Sequence, residues 1–244
     1  LNIDSTSGAV TLKSSANYEG KSSYSFTVSA SDGVTTPATQ NVVVSVTNLD
    51  EVAPSITSGA TATAINENSG AGQTVYTATS TDTTDYVSGS TTYSLKNTGD
   101  YSLLGINATT GAVTLVANPD YETKNSYSFT VIATDAAGNA SEQAVSLAIT
   151  NLDEVSPTMT SGTTGSVAEN AATTTVIYTA SATDSADTTA GVTYSLSGTD
   201  AALLNIDSTS GAVTLKNSAN WETKSSYSFT VSASDGVTTP ATQN

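Results

Sequence analysis

Apolar and polar positions alternate along most of this chain. Tyr127, Phe129, Val131 and Ala133 fall on one face of a run, with Ser128 and Thr130 between them; Val145, Leu147 and Ile149 alternate with Ser146 and Ala148. A period of two with a single apolar face predicts a half-buried antiparallel strand. The same reading predicts strands over 57–66, 73–80, 90–96, 102–106, 111–116, 124–134 and 142–150. Thr110-Gly111, Asn118-Pro119 and Ala137-Gly138-Asn139 mark turns between them. No stretch carries a helical period. Seven short strands in about 100 residues predict an immunoglobulin-like sandwich.

The pattern repeats. Tyr24-Ser-Phe-Thr-Val28 returns from Tyr127 and from Tyr227, Asn48-Leu-Asp-Glu51 returns from Asn151, and Glu67-Asn68 returns at Glu169-Asn170. A long strict period predicts an array of similar domains, each burying its own core. Residues 1–41 and 204–244 differ only by Ser14 against Asn217, Tyr18 against Trp221 and Gly20 against Thr223. The middle copy diverges more, so two domain types alternate. The expected domains are 1–50, the C-terminal part of a repeat; 51–155, a complete repeat; and 156–244, a repeat lacking its last strand, which would begin with a run like Val42-Val43-Val44. Half-sandwiches expose strand edges and a bare apolar face. The chain is therefore read as a window on a longer protein, with donation of the missing strands by a neighbouring copy as the alternative.

Composition narrows the chemistry. The chain has 244 residues, 22 acids, six Lys, and no Arg, His or Cys, for a net charge of −16. Imidazole-activated nucleophiles are excluded, and so are the His and Cys sites that zinc and copper prefer. The charge repels nucleic acid. No apolar run is long enough to insert directly into a membrane. Hard, oxygen-liganded cations fit the balance.

The acids have an order. Glu67-Asn68 follows the first strand of the middle domain, Asp82 and Asp85 follow the second, Asp120-Tyr121-Glu122 follow Leu115, Ala133-Thr-Asp135 closes the sixth strand, and Asn151-Leu-Asp153-Glu154-Val-Ser-Pro157 forms the linker. This order resembles the cadherin repeat, with its E-N, D-x-D, D-x-E, A-x-D and linker motifs, and more closely the bacterial cadherin-like repeats of giant surface adhesins. Tyr93-Ser-Leu95 and Ile106-Asn-Ala-Thr-Thr-Gly111 match as well. The resemblance implies an all-β fold of tandem seven-stranded Greek-key sandwiches, with Ca2+ bound between consecutive domains. It assigns Glu19, Asn48, Asp50, Glu51, Asp82, Asp85 and Asp135 to one junction. Glu67, Asp120, Glu122, Asn151, Asp153, Glu154, Asp184, Asp187 and Asp235 go to the next. Glu169 and Glu222 would serve a later junction and Asp32 an earlier one. The D-x-D pairs are spread to Asp82-x-x-Asp85 and Asp184-x-x-Asp187, and Asn17 and Asn220 replace Asp120. Seventeen of the 22 acids occupy motif positions, which argues against a merely solubilising charge.

The implied role is not enzymatic. It is that of a calcium-rigidified extender or stalk of a bacterial cell-surface adhesin or extracellular filament, serving cell adhesion or biofilm cohesion. Its partners would be neighbouring repeats, other copies of itself or cell-surface glycans. Two other readings stay open: a carbohydrate- or partner-binding module, and a self-assembling subunit completed by strands from another copy. Tyr18, Tyr121 and Trp221, at one equivalent position, are expected to pack over the domain end. Asn107-Ala-Thr109 and Asn139-Ala-Ser141 fit the glycosylation sequon.

Overall fold

The computed structural model describes residues 1–82, 90–184 and 191–244. They form two compact units, Leu1–Ile149 and Thr150–Asn244, nearly all β.

The first unit opens with β1 (Asn2–Ile3), β2 (Val10–Thr11), β3 (Ser23–Ala30) and β4 (Ala38–Ser45). β1 pairs with β2 and β3 with β4, both antiparallel. Its complete sandwich follows: β5 (Ser55–Ile56), β6 (Ile65–Asn66), β7 (Thr74–Thr77), β8 (Ser80–Thr81), β9 (Thr92–Leu95), β10 (Leu104–Ile106), β11 (Ala112–Leu115), β12 (Ser126–Thr134) and β13 (Ala140–Thr150). One sheet runs β6-β13-β12-β9, the other β10-β11-β7, and β5 pairs with β8. Between the sheets lie Val113, Leu115, Phe129, Val131, Val145, Leu147 and Ile149, all buried. These are the alternating positions of the sequence, and each contributes roughly 1.5–3 kcal/mol by leaving water.

The expected first strand, 57–66, is broken. Ser55–Ile56 pairs with Thr81–Ser80, and further on Ala62 N–H donates to Ser146 O (2.8 Å) while Ser146 N–H donates to Ala60 O (3.0 Å). β13 is thus bonded along both edges. Residues Tyr101–Leu103 form a 3-10 turn where the start of a strand was expected.

The second unit contains β14 (Thr158–Met159), β15 (Val176–Thr179), β16 (Ala182–Thr183), β17 (Thr193–Ser197), β18 (Leu204–Ile206), β19 (Ala212–Leu215), β20 (Thr230–Ser234) and β21 (Ala241–Gln243). Its sheets are β15-β19-β18 and β17-β20-β21, and β14 pairs with β16. The last strand, expected to be missing, starts at Ala241, ahead of any Val-rich run, because its first residues already pair with β20. In both cores a Tyr meets a Phe edge-on, Tyr76 with Phe129 and Tyr178 with Phe229. Each Tyr hydroxyl donates to the first strand segment, at Gly59 O (2.8 Å) and Gly162 O (2.7 Å).

Candidate metal centre

Each unit gathers three aspartates from the same three places in a repeat. Asp50 comes from the linker, Asp82 follows β8 and Asp135 ends β12; their carboxylate oxygens lie within 4.8 Å of one another. Asp153, Asp184 and Asp235 do the same after the second linker, β16 and β20.

Local turns hold these side chains. Asp135 Oδ1 accepts the N–H groups of Gly138 (2.7 Å) and Asn139 (2.8 Å). The Asn139 amide donates to Asp135 Oδ2 (3.0 Å) and to the Asp50 carbonyl (2.9 Å), tying the linker to the turn. In the second unit, Asp235 Oδ1 accepts Val237 and Thr238 N–H, and the Thr238 hydroxyl donates to Oδ2. Burial pushes the Asp135 carboxyl up, but the Asn139 amide and the turn N–H groups outweigh it and leave it below the usual carboxylate value. Asp235 is lowered by the Thr238 hydroxyl first and then by the Val237 N–H. Both stay ionised at neutral pH.

Among the described residues, Asp50 Oδ2, Asn151 Oδ1 and both carboxylate oxygens of Asp153 are buried and accept no hydrogen bond. Leaving such an atom unsatisfied costs about 1–3 kcal/mol, more when it is charged. Like charges this close repel as well. A cation relieves both terms. Oxygen is the only donor type present, which suits a hard ion such as Ca2+ with six to eight oxygen ligands.

The other predicted ligands divide. Glu67 is buried; its Oε2 accepts Tyr121 N–H at 2.7 Å, and its carboxylate lies within 4.8 Å of that of Glu122. The turn after it is fixed by Asn68 at positive φ, with Asn68 N–H donating to Pro119 O (3.0 Å) and the Asn118 amide donating to Asn68 Oδ1 (3.0 Å). The E-N and D-x-E motifs are therefore bolted together by the backbone around them. Asp120 is exposed and caps its own turn through Thr123 N–H (2.8 Å). Asn17 and Asn220 cap the same turn through Gly20 and Thr223 N–H, which accounts for the exchange of Asp and Asn there. Among the described residues Glu19, Glu51 and Asp120 join none of the acidic groups of three. Asn48 and Asn151 are half-buried in the linkers, Glu154 and Glu122 are exposed, and Asp85 and Asp187 lie outside the described residues.

Asn139 is a residue whose part in the site sequence reasoning missed: its amide ties Asp50 to Asp135. Its four-residue spacing from Asp135 is the signal that could have found it. Two acids outside the motifs also have defined work. Asp100 and Asp200 each accept a backbone N–H, from Ser128 (2.8 Å) and Ser228 (2.7 Å), and each pairs with a lysine, Lys124 (2.9 Å) and Lys224 (2.8 Å). Of the equivalent aromatics, Tyr121 packs against the core as expected. Trp221 does not, being 66% exposed, and Tyr18 is 40% exposed.

Tandem sandwiches with oxygen-only acidic sites at their linkers define a class of extracellular adhesion repeat. A family model for the Cadherin domain matches residues 61–150 and 163–244, and the chain belongs to this family. Protocadherin Fat 4 of Mus musculus is 27% identical over 237 residues, covering 95% of this chain and 5% of that protein. Cadherin-23 of Homo sapiens is 31% identical over 248 residues, covering 97% of this chain and 7% of that protein. The chain thus spans a small fraction of the length of these relatives. The crystal structure of mouse cadherin-23 EC22-24 superposes with a TM-score of 0.64 at 26% identity, covering 94% of this chain and 74% of that one. Cadherin domains are extracellular, calcium-binding adhesion modules and not enzymes. No helix among the described residues is long and apolar enough to cross a membrane.

Proposed function

We propose that this segment is a calcium-stiffened extender of a larger bacterial surface adhesin, holding a binding module away from the cell and contributing to cohesion between cells. Its repeats are taken as 1–50, 51–155 and 156–244. Asp50, Asp82 and Asp135 hold one ion group with Asn48, Glu51 and Glu19, and Asp153, Asp184 and Asp235 hold the corresponding group with Asn151. When bound, calcium supplies the positive charge that these buried oxygens lack. The residues themselves bring a linker carboxylate against two carboxylates of the sandwich that follows, so that an ion shared by them fixes the linker to that sandwich. Without it, a short polar linker is a hinge.

The observation that carries this reading is in the two linker aspartates: Asp50 Oδ2 and both carboxylate oxygens of Asp153 are buried and lack a hydrogen-bond donor. Small-angle scattering in calcium and then in chelator tests it. An extended particle that becomes flexible on chelation is expected, together with heat of binding on calcium titration that falls in Asp153→Asn. Unchanged dimensions and no heat would overturn the proposal.

A further inference from the structure

The chain holds two Asn-x-Ser/Thr sequons, at Asn107 and Asn139, and the fold treats their amides in opposite ways. Asn139 is half-buried, and its Nδ2 donates twice, to the Asp50 carbonyl (2.9 Å) and to Asp135 Oδ2 (3.0 Å). Both of its amide hydrogens are engaged. Asn107 opens the turn between β10 and β11, where residues 107–110 are all exposed. Its Oδ1 accepts the N–H groups of Thr109 (3.0 Å) and Thr110 (3.0 Å). Among the described residues, its Nδ2 and the Thr109 hydroxyl have no hydrogen-bond partner.

The backbone fixes this turn without help from Nδ2. Asn107 N–H donates to Ala112 O and Gly111 N–H to Asn107 O, both at 2.9 Å; Tyr93 N–H reaches Ala108 O and Ala78 N–H reaches Gly111 O, also at 2.9 Å. The same turn is built twice more with an aspartate in place of the asparagine. Asp4 Oδ1 accepts Thr6 and Ser7 N–H (2.9 and 2.7 Å), and Asp207 Oδ1 accepts Thr209 and Ser210 N–H (3.0 and 2.8 Å). The Ser7 and Ser210 N–H groups hold those two carboxyls below their ordinary value. A carboxylate makes the stronger, charge-assisted bond, so Asn107 is the weaker acceptor of the three. What it adds is a free N–H2 group that the turn does not use.

We infer that Asn107 is the acceptor for an N-linked sugar on the folded chain, and that Asn139 is not. The donor class is a nucleotide-diphosphate sugar, presented by a separate transferase. Nδ2 bonds to the anomeric carbon, and the bond from that carbon to the phosphate oxygen breaks. The electron pair leaves with the nucleoside diphosphate, and one Nδ2 proton passes to a base of the transferase. The two N–H groups on Oδ1 draw electron density from the amide and ease the loss of that proton. The Thr109 N–H bond also holds the first and third residues of the sequon together, as the motif requires of a surface acceptor. A bulky, solubilising sugar fits at this exposed turn, whereas at Asn139 it would displace the ties to Asp50 and Asp135.

Intact mass and peptide mapping test the assignment. The folded, calcium-loaded chain is incubated with UDP-glucose and a soluble asparagine-linked glucosyltransferase. One added hexose is expected, mapped to Asn107, with Asn139 unmodified. Thr109→Ala should abolish the addition while leaving the asparagine in place. Asn107→Asp, which copies the arrangement at Asp4 and Asp207, should keep the melting temperature of the unsubstituted chain and take no sugar. A folded chain that gains no hexose, a hexose found on Asn139, or an addition that survives Asn107→Asp would overturn the assignment.

Discussion

Leu1–Asn41 and Leu204–Asn244 differ at three positions, yet one lies open and the other is packed. Leu1 is 41% exposed and Leu204 3%; Leu12 is 43% exposed and Leu215 3%. Both segments form the same hairpins in the same registers, Ile3 with Val10 and Ile206 with Val213. Local sequence therefore suffices for the hairpin. Closure needs β15, which pairs with the free edge of β19, and β17, which pairs with the free edge of β20. β2 and β3 have no such neighbours among the described residues. Burial is a property of the whole sandwich, and identical side chains acquire different energetic roles according to which strands surround them.

A buried charge breaks the comparison most sharply. Val213 is fully buried, while Val10 is half-buried in a two-stranded sheet. Val213→Asp is expected to cost more than about 4 kcal/mol and unfold the second unit, because an unpaired carboxylate has no partner in that core. Val10→Asp is expected to cost less than about 1 kcal/mol, in line with a partly exposed site. Urea melts of the two variants, followed by circular dichroism, measure the difference. Equal losses would mean that Leu1–Asn41 is closed in solution by something the structure does not show.

Glycine offers a finer test. Gly8 and Gly211 occupy the same turn with φ of +71° and +70°. A Cβ at Gly211 would sit 2.3 Å from the Ala180 carbonyl, whereas at Gly8 it meets nothing within 4 Å. Gly8→Ala pays only for the left-handed backbone, about 1–2 kcal/mol. Gly211→Ala adds a backbone clash, so its melting temperature should fall further than that of Gly8→Ala. Similar shifts would show that the backbone at Ala180 yields easily.

Much of this was legible in advance, and what was not has physical causes. The period-two runs around Phe129 and Leu147 marked the core strands because each has one buried and one solvent face. The break in the first strand was illegible: Ala60-Thr-Ala-Thr-Ala64 keeps the period-two alternation of an unbroken strand, and the bonding partner at Ser146 is distant in sequence. The three residues of Tyr101–Leu103 are too few to show a period. Motif order pointed to Asp50, Asp82 and Asp135. It gave no hint that Asp120 serves its own turn, because a capping aspartate and a ligating one look alike in sequence.

The smallest expected effect concerns the lysine that both segments share. Lys224 and Lys21 each lie over a tyrosine ring, Tyr227 at 5.4 Å and Tyr24 at 5.2 Å. Only Lys224 also meets a carboxylate, Asp200; among the described residues no carboxylate pairs with Lys21. The Lys224 ammonium, and after it the Ser228 N–H, hold the Asp200 carboxyl below its ordinary value of 3.8. A carboxyl depressed on folding adds stability that is fully present above the unfolded value and is lost as pH falls through the folded one. In chelator, Lys224→Met should therefore lower the urea midpoint of the second unit at neutral pH. That deficit should shrink once the pH drops below the ordinary carboxylate range, because the unsubstituted chain then loses the same contribution. Lys21→Met should show a deficit that does not depend on pH in this way. A Lys224→Met deficit that persists unchanged into strong acid would assign the lysine's contribution to its packing over Tyr227, which the two segments have in common, and would remove Asp200 from what distinguishes them.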